Sequence, residues 1–249
     1  MAKQKGLLKI EGTLDDLTFF KTEDGFVVRT KGGVSRDRIL RDPSFIRTRE
    51  NMTEFAHCAG TGKMLRRAAA DLIRNVKDKR VTGRLTGTMA RIKNYDTVSP
   101  RGQRKVDIGV TTPQGLALLK GFDFNTRSQL TTVMTKPWSL DTATGEVVIA
   151  NLIPQNNIVP PEYATHVSFT AAFMMLDFAT GESQVYQSNV VNLPIDLAAT
   201  TVTLTPDDVP TGSGTAMYFL LVEFFQEINS VQYTLKNGSY NALSIIQAL

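Results

Sequence analysis

The residues best suited to chemistry in this chain are cations. The stretch Lys63 to Arg80 reads KMLRRAAADLIRNVKDKR, and Arg84, Arg91 and Lys93 follow soon after. Arg66, Arg67, Arg74, Lys77, Lys79 and Arg80 lie in helix-forming sequence. Such side chains can neutralise phosphates, which makes binding salt-sensitive, or pair with carboxylates on another protein surface. From Gly60 to Arg91 there is no aromatic on which a base could stack, and no known nucleic-acid module is present. Across 36–105 Arg outnumbers Lys by 13 to 5. Arg suits two-pronged pairing with carboxylates as well as phosphates.

Other chemistries are poorly supplied. His57 and His166 are the only histidines, too few for a His-rich metal site. His57 adjoins Cys58, but neighbouring helical residues point about 100° apart and do not form a Cys–His nucleophile pair. The expectation is a helix-packing cysteine beside an incidental histidine. GTGK at Gly60–Lys63 lacks the spacing of a phosphate loop, and Met64 stands where Ser or Thr is needed; a turn between helices is the better reading. Asp15-Asp16, Glu23-Asp24 and Asp207-Asp208 are carboxylate pairs without the repeated spacing of a calcium loop, and read as solvated turns. No catalytic, cofactor-binding or metal-ligating residue is expected, no cofactor is implied, and the protein is expected not to be an enzyme.

The net charge of +4 conceals a strong asymmetry. Residues 1–35 are nearly balanced, at +1. Residues 36–105 carry 18 cations and 7 anions; residues 106–249 carry 4 and 12. The middle of the chain is therefore +11 and the rest −8. Such polarity concerns partners rather than fold. Cys58 is the only cysteine, which excludes an internal disulfide framework. MAKQKGLLKIEG has cations but no following apolar run of roughly 7–15 residues, so no signal peptide is read. No stretch approaches the roughly 20 apolar residues of a membrane span, so membrane insertion is not expected. Synthesis in the cytoplasm is the expectation, with leaderless export left open.

The elements that must carry these residues fall into three parts. Residues 5–33 read as a β-meander: KGLLKIEGTL, DLTFFKT and GFVVRTK, with a tight turn at Asp24-Gly25. Residues 34–95 read as three short helices. Asp42-Pro43-Ser44 opens the first, Gly60-Thr61-Gly62 interrupts, and Met64, Leu65, Ala68, Leu72, Ile73 and Val76 recur at helical spacing. Leu85, Met89 and Ile92 continue that period. Asn94–Arg104 reads as an exposed loop or linker. Beyond about Leu116 the chain turns to Thr, Val, Phe and Tyr. LTTVMTKP, GEVVIANLIP, THVSFTAAFMMLDF, SQVYQSNVVNLP, TTVTLTP, TAMYFLLVEFFQ, SVQYTLKN and NALSIIQAL are the expected strands. MYFLLVEFFQ is almost wholly apolar and should be central, covered on both faces. The predicted fold is α+β: an N-terminal β-meander, a short helical bundle and a C-terminal antiparallel β-sandwich, immunoglobulin-like or jelly-roll-like. The composition divides it into a basic region, 1–105, and an acidic sandwich, 106–249.

The phrases MAKQKGLLKIEGTLDDLTFFKTEDGFVVRTKGG, FIRTRENMTEF, KMLRRA and LLVEFFQEINSVQYTLKNGSYNALSII together span most of the chain. They resemble a family of uncharacterised small proteins encoded by Bacteroidota bacteria. The resemblance implies an origin and a two-part build, and assigns no catalytic residue.

Charge and architecture together point to self-assembly. Basic helices of one copy can meet the acidic sandwich of the next, a heterologous contact that propagates into a ring or filament. The expected partner is the protein itself, in a filament, tube or shell. The expected contacts are Arg66, Arg67, Arg74, Lys77, Arg80 and Arg84 on the basic side, Asp207 and Asp208 on the acidic side, and Phe19 and Phe20 in the N-terminal strands. The alternative is a nucleic-acid-associated protein using the same basic face. Mutual neutralisation of the two parts within one monomer is the bland reading.

Overall fold

The computed structural model describes residues 2–30 and 33–249. Lys31, the last residue of the expected third strand, lies outside them, as do Met1 and Gly32. The fold is α+β, with N-terminal antiparallel strands, several helices and a sandwich-like C-terminal part built from a curled antiparallel sheet. It divides into two compact units, residues 1–49 and 50–249.

The first unit is a small sheet of Ala2–Lys3 (β1), Gly12–Leu14 (β2), Leu17–Thr22 (β3) and Gly25–Thr30 (β4), in the order β1-β4-β3-β2. Two-residue turns join the hairpins. Asp15-Asp16 closes one, with Asp15 at φ 46°; Glu23-Asp24 closes the other, with Gly25 at φ 118°. The segment KGLLKIEGTL is only partly strand. The Gln4 side chain donates to the Ile10 carbonyl at 3.2 Å and accepts from the Ile10 N–H at 3.1 Å, which loops out the residues between. Helix α1, Arg36–Arg41, starts at Ser35, whose hydroxyl accepts from Arg38 N–H. Among the described residues of this unit Val27 alone is buried, while Leu7, Leu8, Ile10, Leu14 and Leu17 are exposed. So small a sheet has almost no interior of its own.

Asp42 accepts from the Ser44 N–H at 2.9 Å and opens a single turn, Pro43–Phe45, that runs directly into α2, Ile46–Ala68. The interruption expected at Gly60-Thr61-Gly62 does not occur. Thr61 turns its hydroxyl back onto the Cys58 carbonyl, and Gly62 is where α4 crosses: a Cβ there would lie 3.7–3.8 Å from Leu85, Thr86 and Met89. The helix runs through both glycines without a turn, and GTGK lies inside it. After α2 come α3, Ala70–Arg74, and α4, Val81–Ile92. Short helices α5, Val106–Gly109, and α6, Pro113–Ala117, follow.

LTTVMTKP is not the expected strand. Leu130–Val133 forms a helical turn, α7, because the Asp123 carboxylate accepts the Leu130 N–H at 3.1 Å. The remaining expected strands form, SQVYQSNVVNLP as two, and Ser139–Leu140 adds a short strand that was not expected: β5, Ser139–Leu140; β6, Val147–Leu152; β7, His166–Leu176; β8, Ser183–Gln187; β9, Val191–Pro194; β10, Thr200–Leu204; β11, Thr215–Ile228; β12, Val231–Thr234; and β13, Ala242–Ala248. A helical turn, α8, Pro154–Asn157, follows β6. β11 pairs β7 on one side and β13 and β12 on the other, and β7 carries β8 and β9 along its far edge. A second group runs β10-β6-β5. The Ser188–Pro206 bridge and Asn189, which donates to the Thr203 carbonyl and accepts from Thr205 N–H, join β10 to the β8–β9 edge. The sheet thus curls back over itself.

Each face of β7–β11–β13 has its own core. Ala172, Met174, Phe219, Leu221, Leu243 and Ile245 pack under Cys58 and Leu65 of α2, Leu72 of α3 and Leu85, Met89 and Ile92 of α4. Phe169, Phe173, Tyr218, Leu220 and Val222 face the opposite way, onto Val147, Ile149, Val202 and Leu204. β11 is central and covered on both faces, as its apolar run predicts. The first core draws on residues from Cys58 to Ala248, so the change of surface charge near residue 105 crosses a continuous interior.

Candidate functional site

The helices that carry the cations are fixed by buried carboxylates. Glu54 of α2 is 2% exposed. Its two oxygens accept from Arg104 Nε and Nη2, both at 2.8 Å, and from the Gly102 N–H at 2.8 Å; Lys93 Nζ completes the set. The Arg104 guanidinium holds the Glu54 carboxyl far below the usual carboxylate range, against the opposing effect of burial. Burial alone would raise the Asp96 pKa. Donation from the Ser99, Lys105 and Val98 backbones outweighs it and brings the value down to about 2. Together these two carboxylates anchor Asn94–Arg104, the segment expected to be an exposed linker. His57 is not incidental: its Nε2 accepts the Val106 N–H at 2.9 Å, at the start of α5. Cys58 is fully buried in the core, and burial pushes its thiol pKa up, leaving a packing residue rather than a nucleophile.

The expected contact residues scatter. Arg66 is half-buried. Arg67, Lys77 and Arg80 are exposed. Arg74 pairs with Asp71 at 3.1 Å on the surface. Arg84 is committed inward: Nη2 meets Asp78 at 2.7 Å, Nη1 donates to the Asp123 carbonyl at 2.7 Å, and the guanidinium lies 5.1 Å from the Phe122 ring centroid. Asp207 and Asp208 are exposed in the loop after β10. Phe19 and Phe20 are half-buried in β3, with Arg29 stacked 5.4 Å from the Phe20 ring.

One concave feature gathers cations that spacing alone did not single out as a set. A groove of about 680 Å³ runs between α4 and the segment 117–123. Arg84, Gly87, Thr88 and Arg91 line it from α4 at helical spacing; Ala117, Leu118, Lys120, Gly121 and Phe122 form the other wall, with Asp123 and Gln129. The opposite stripe of α4, Leu85, Met89 and Ile92, is fully buried, so core packing fixes which side chains face the groove. Arg91 and Lys120 are exposed; Arg91 donates to the Thr88 hydroxyl at 3.3 Å. Asp123 is the one acid in the lining, and burial raises its pKa. The groove suits an anionic group with apolar neighbours. The signal for it was the Arg84–Arg91 spacing joined to Lys120, 36 to 29 positions downstream in a different element.

The sequence also carries a short repeat. DTATGE at 141–146 and DFATGE at 177–182 form near-identical hairpin loops. In each the first Asp accepts the N–H two residues on, at 2.9 and 2.7 Å, and the glycine N–H returns to the Asp carbonyl at 2.8 Å. They join β5 to β6 and β7 to β8.

Among the described residues no group of His, Cys, Asp and Glu is placed to hold a metal ion, and no helix is long and apolar enough to cross a membrane. Comparison with protein-family models, with curated proteins and with solved structures found no match.

Proposed function

We propose that this protein is a non-enzymatic structural subunit that assembles with copies of itself, head to tail, into a filament, tube or shell. The observation that carries the reading is the thin interior of residues 1–49: Val27 is its one buried side chain among the described residues, and five large apolar side chains before Thr18 are exposed. Apolar surface of this kind gains about 25 cal/mol per Å² on being covered. A neighbouring copy is the cover always at hand. The charge asymmetry supports the same reading, because a +11 stretch and a −8 stretch on one chain attract between copies and fix their register. Exposed Arg67, Lys77 and Arg80 supply the basic side, and Asp207 and Asp208 the acidic side.

Light scattering and negative-stain microscopy on protein freed of nucleic acid test the reading. Ordered polymers are expected from the full chain, and particles of monomer mass from a variant lacking residues 1–33. A full chain that stays monomeric at high concentration overturns it. Monomers that also shift labelled DNA at low salt would assign the basic face to nucleic acid instead.

A further inference from the structure

The groove and the N-terminal hairpin are complementary in two respects at once. The groove combines the exposed cations Arg91 and Lys120 with apolar lining from Ala117, Leu118 and Phe122. The β2–β3 hairpin tip combines two carboxylates with two leucines: Leu14, Asp15, Asp16 and Leu17 are consecutive and all exposed. Leu14 and Leu17 are 63% and 42% exposed and sit opposite each other at the end of the ladder, so they flank the two-residue acidic turn. The tip belongs to the unit that lacks an interior. Arg84 ties the two walls of the groove together, donating to the Asp123 carbonyl and to Asp78.

We propose that the groove between α4 and residues 117–123 receives the Leu14–Leu17 hairpin tip of a second copy. The two aspartates meet Arg91 and Lys120, and the leucines cover Ala117 and Leu118. The other acidic turn, Asp207-Asp208, is flanked by Pro206 and Val209, of which Pro206 is already buried, so it offers less apolar surface beside its charges. The inference rests on the assembly reading and names its contact.

Charge exchange tests it, with assembly measured by light scattering on the full chain. Asp15→Lys with Asp16→Lys is expected to raise the concentration needed for assembly by about tenfold or more, the effect of losing one good charged contact. Arg91→Glu with Lys120→Glu, at exposed positions, is expected to do the same. The chain carrying all four changes is expected to regain assembly, which also establishes that the substituted surfaces still fold. The contact is overturned if the aspartate exchange leaves assembly untouched, if the four-site chain is no better than the two-site chains, or if Asp207→Lys with Asp208→Lys has the effect in its place. In each of those outcomes the wild type still polymerises, so the assembly reading survives. A monomeric wild type removes the reading itself, before any variant is made.

Discussion

Arg104 grips Glu54 with two parallel hydrogen bonds of 2.8 Å, fifty residues away along the chain, and the Glu is almost wholly out of water. Such a fork fixes both direction and distance, so it holds the loop carrying Arg104 against α2. Glu54→Gln leaves Arg104 and Lys93 facing a neutral amide. We expect a loss of about 3 kcal/mol, the usual penalty for removing one partner of a buried pair. The midpoint of urea unfolding measures it, and a loss under about 1 kcal/mol would mean the pair is dispensable.

Acid should weaken the fold through the same group. The Glu54 pKa lies far below its unfolded value near 4.5, and that of Asp96 falls from 3.8 to about 2. Their stabilisation is complete above those unfolded values and drains away as pH falls through the folded ones. Unfolding midpoints should therefore drop steadily below about pH 4.5, and Glu54→Gln should flatten that decline. An unchanged slope in the variant would exclude Glu54 as its source.

Asp123 carries the opposite sign. Burial raises its pKa, so its contribution is present at low pH and is lost as pH rises through the folded value. Its carboxylate nevertheless accepts the Leu130 N–H that starts α7. Asp123→Asn keeps an acceptor and removes the buried charge. It should equal or exceed the wild type in thermal midpoint at pH 7, whereas Asp123→Ala should lose about 1 kcal/mol.

Gly109 has no room to grow. A Cβ there would stand 2.2 Å from the Ile92 carbonyl oxygen, and backbone cannot swing aside as a side chain can. Gly109→Ala should cost about 3 kcal/mol or more and lower the thermal midpoint by roughly 6–12 °C. Gly62→Ala is the control: its Cβ would find ordinary contacts of 3.7–3.8 Å, so α2 should tolerate it far better.

Salt separates the two forces proposed for assembly. At roughly 1 M salt the screening length falls to about 3 Å, so encounter driven by the basic and acidic surfaces should slow sharply. Contacts made by Leu14 and Leu17 should persist once formed. Stopped-flow scattering across a salt series reads both; rates that ignore salt would remove charge from the mechanism.

Alternation and apolar runs made most of the sheet readable. β11 stands out because its apolar run cannot be exposed on either face, and β8 to β10 follow from turn residues between β-branched runs. The errors have a common cause in distant partners. Leu130–Val133 has strand-forming residues, but the carboxylate that starts its helical turn is at Asp123. Gly60 and Gly62 look like breakers, yet α2 runs through both, and of the two only Gly62 faces α4. Asn94–Arg104 looks like a free loop because its anchors, Glu54 and Asp96, are ordinary acids in the one-dimensional text. The groove stayed hidden for the same reason: Arg91 and Lys120 line one groove only because α4 lies beside residues 117–123. The repeated D-x-A-T-G-E hexapeptide, by contrast, is legible in the sequence itself, because its hydrogen bonds are all local.

β13 lies between β11 and residues 121–124, which hydrogen-bond its outer edge through Gly121, Phe122 and Phe124. The most C-terminal strand is therefore an interior one, and both cores draw side chains from it. During translation the helices and most of the sheet emerge before their packing surface is complete. Residues 50–249 can close only after the ribosome has released β13, so the nascent chain must wait with its apolar faces open, and truncation near Ala242 would leave an aggregation-prone product instead of a smaller working one.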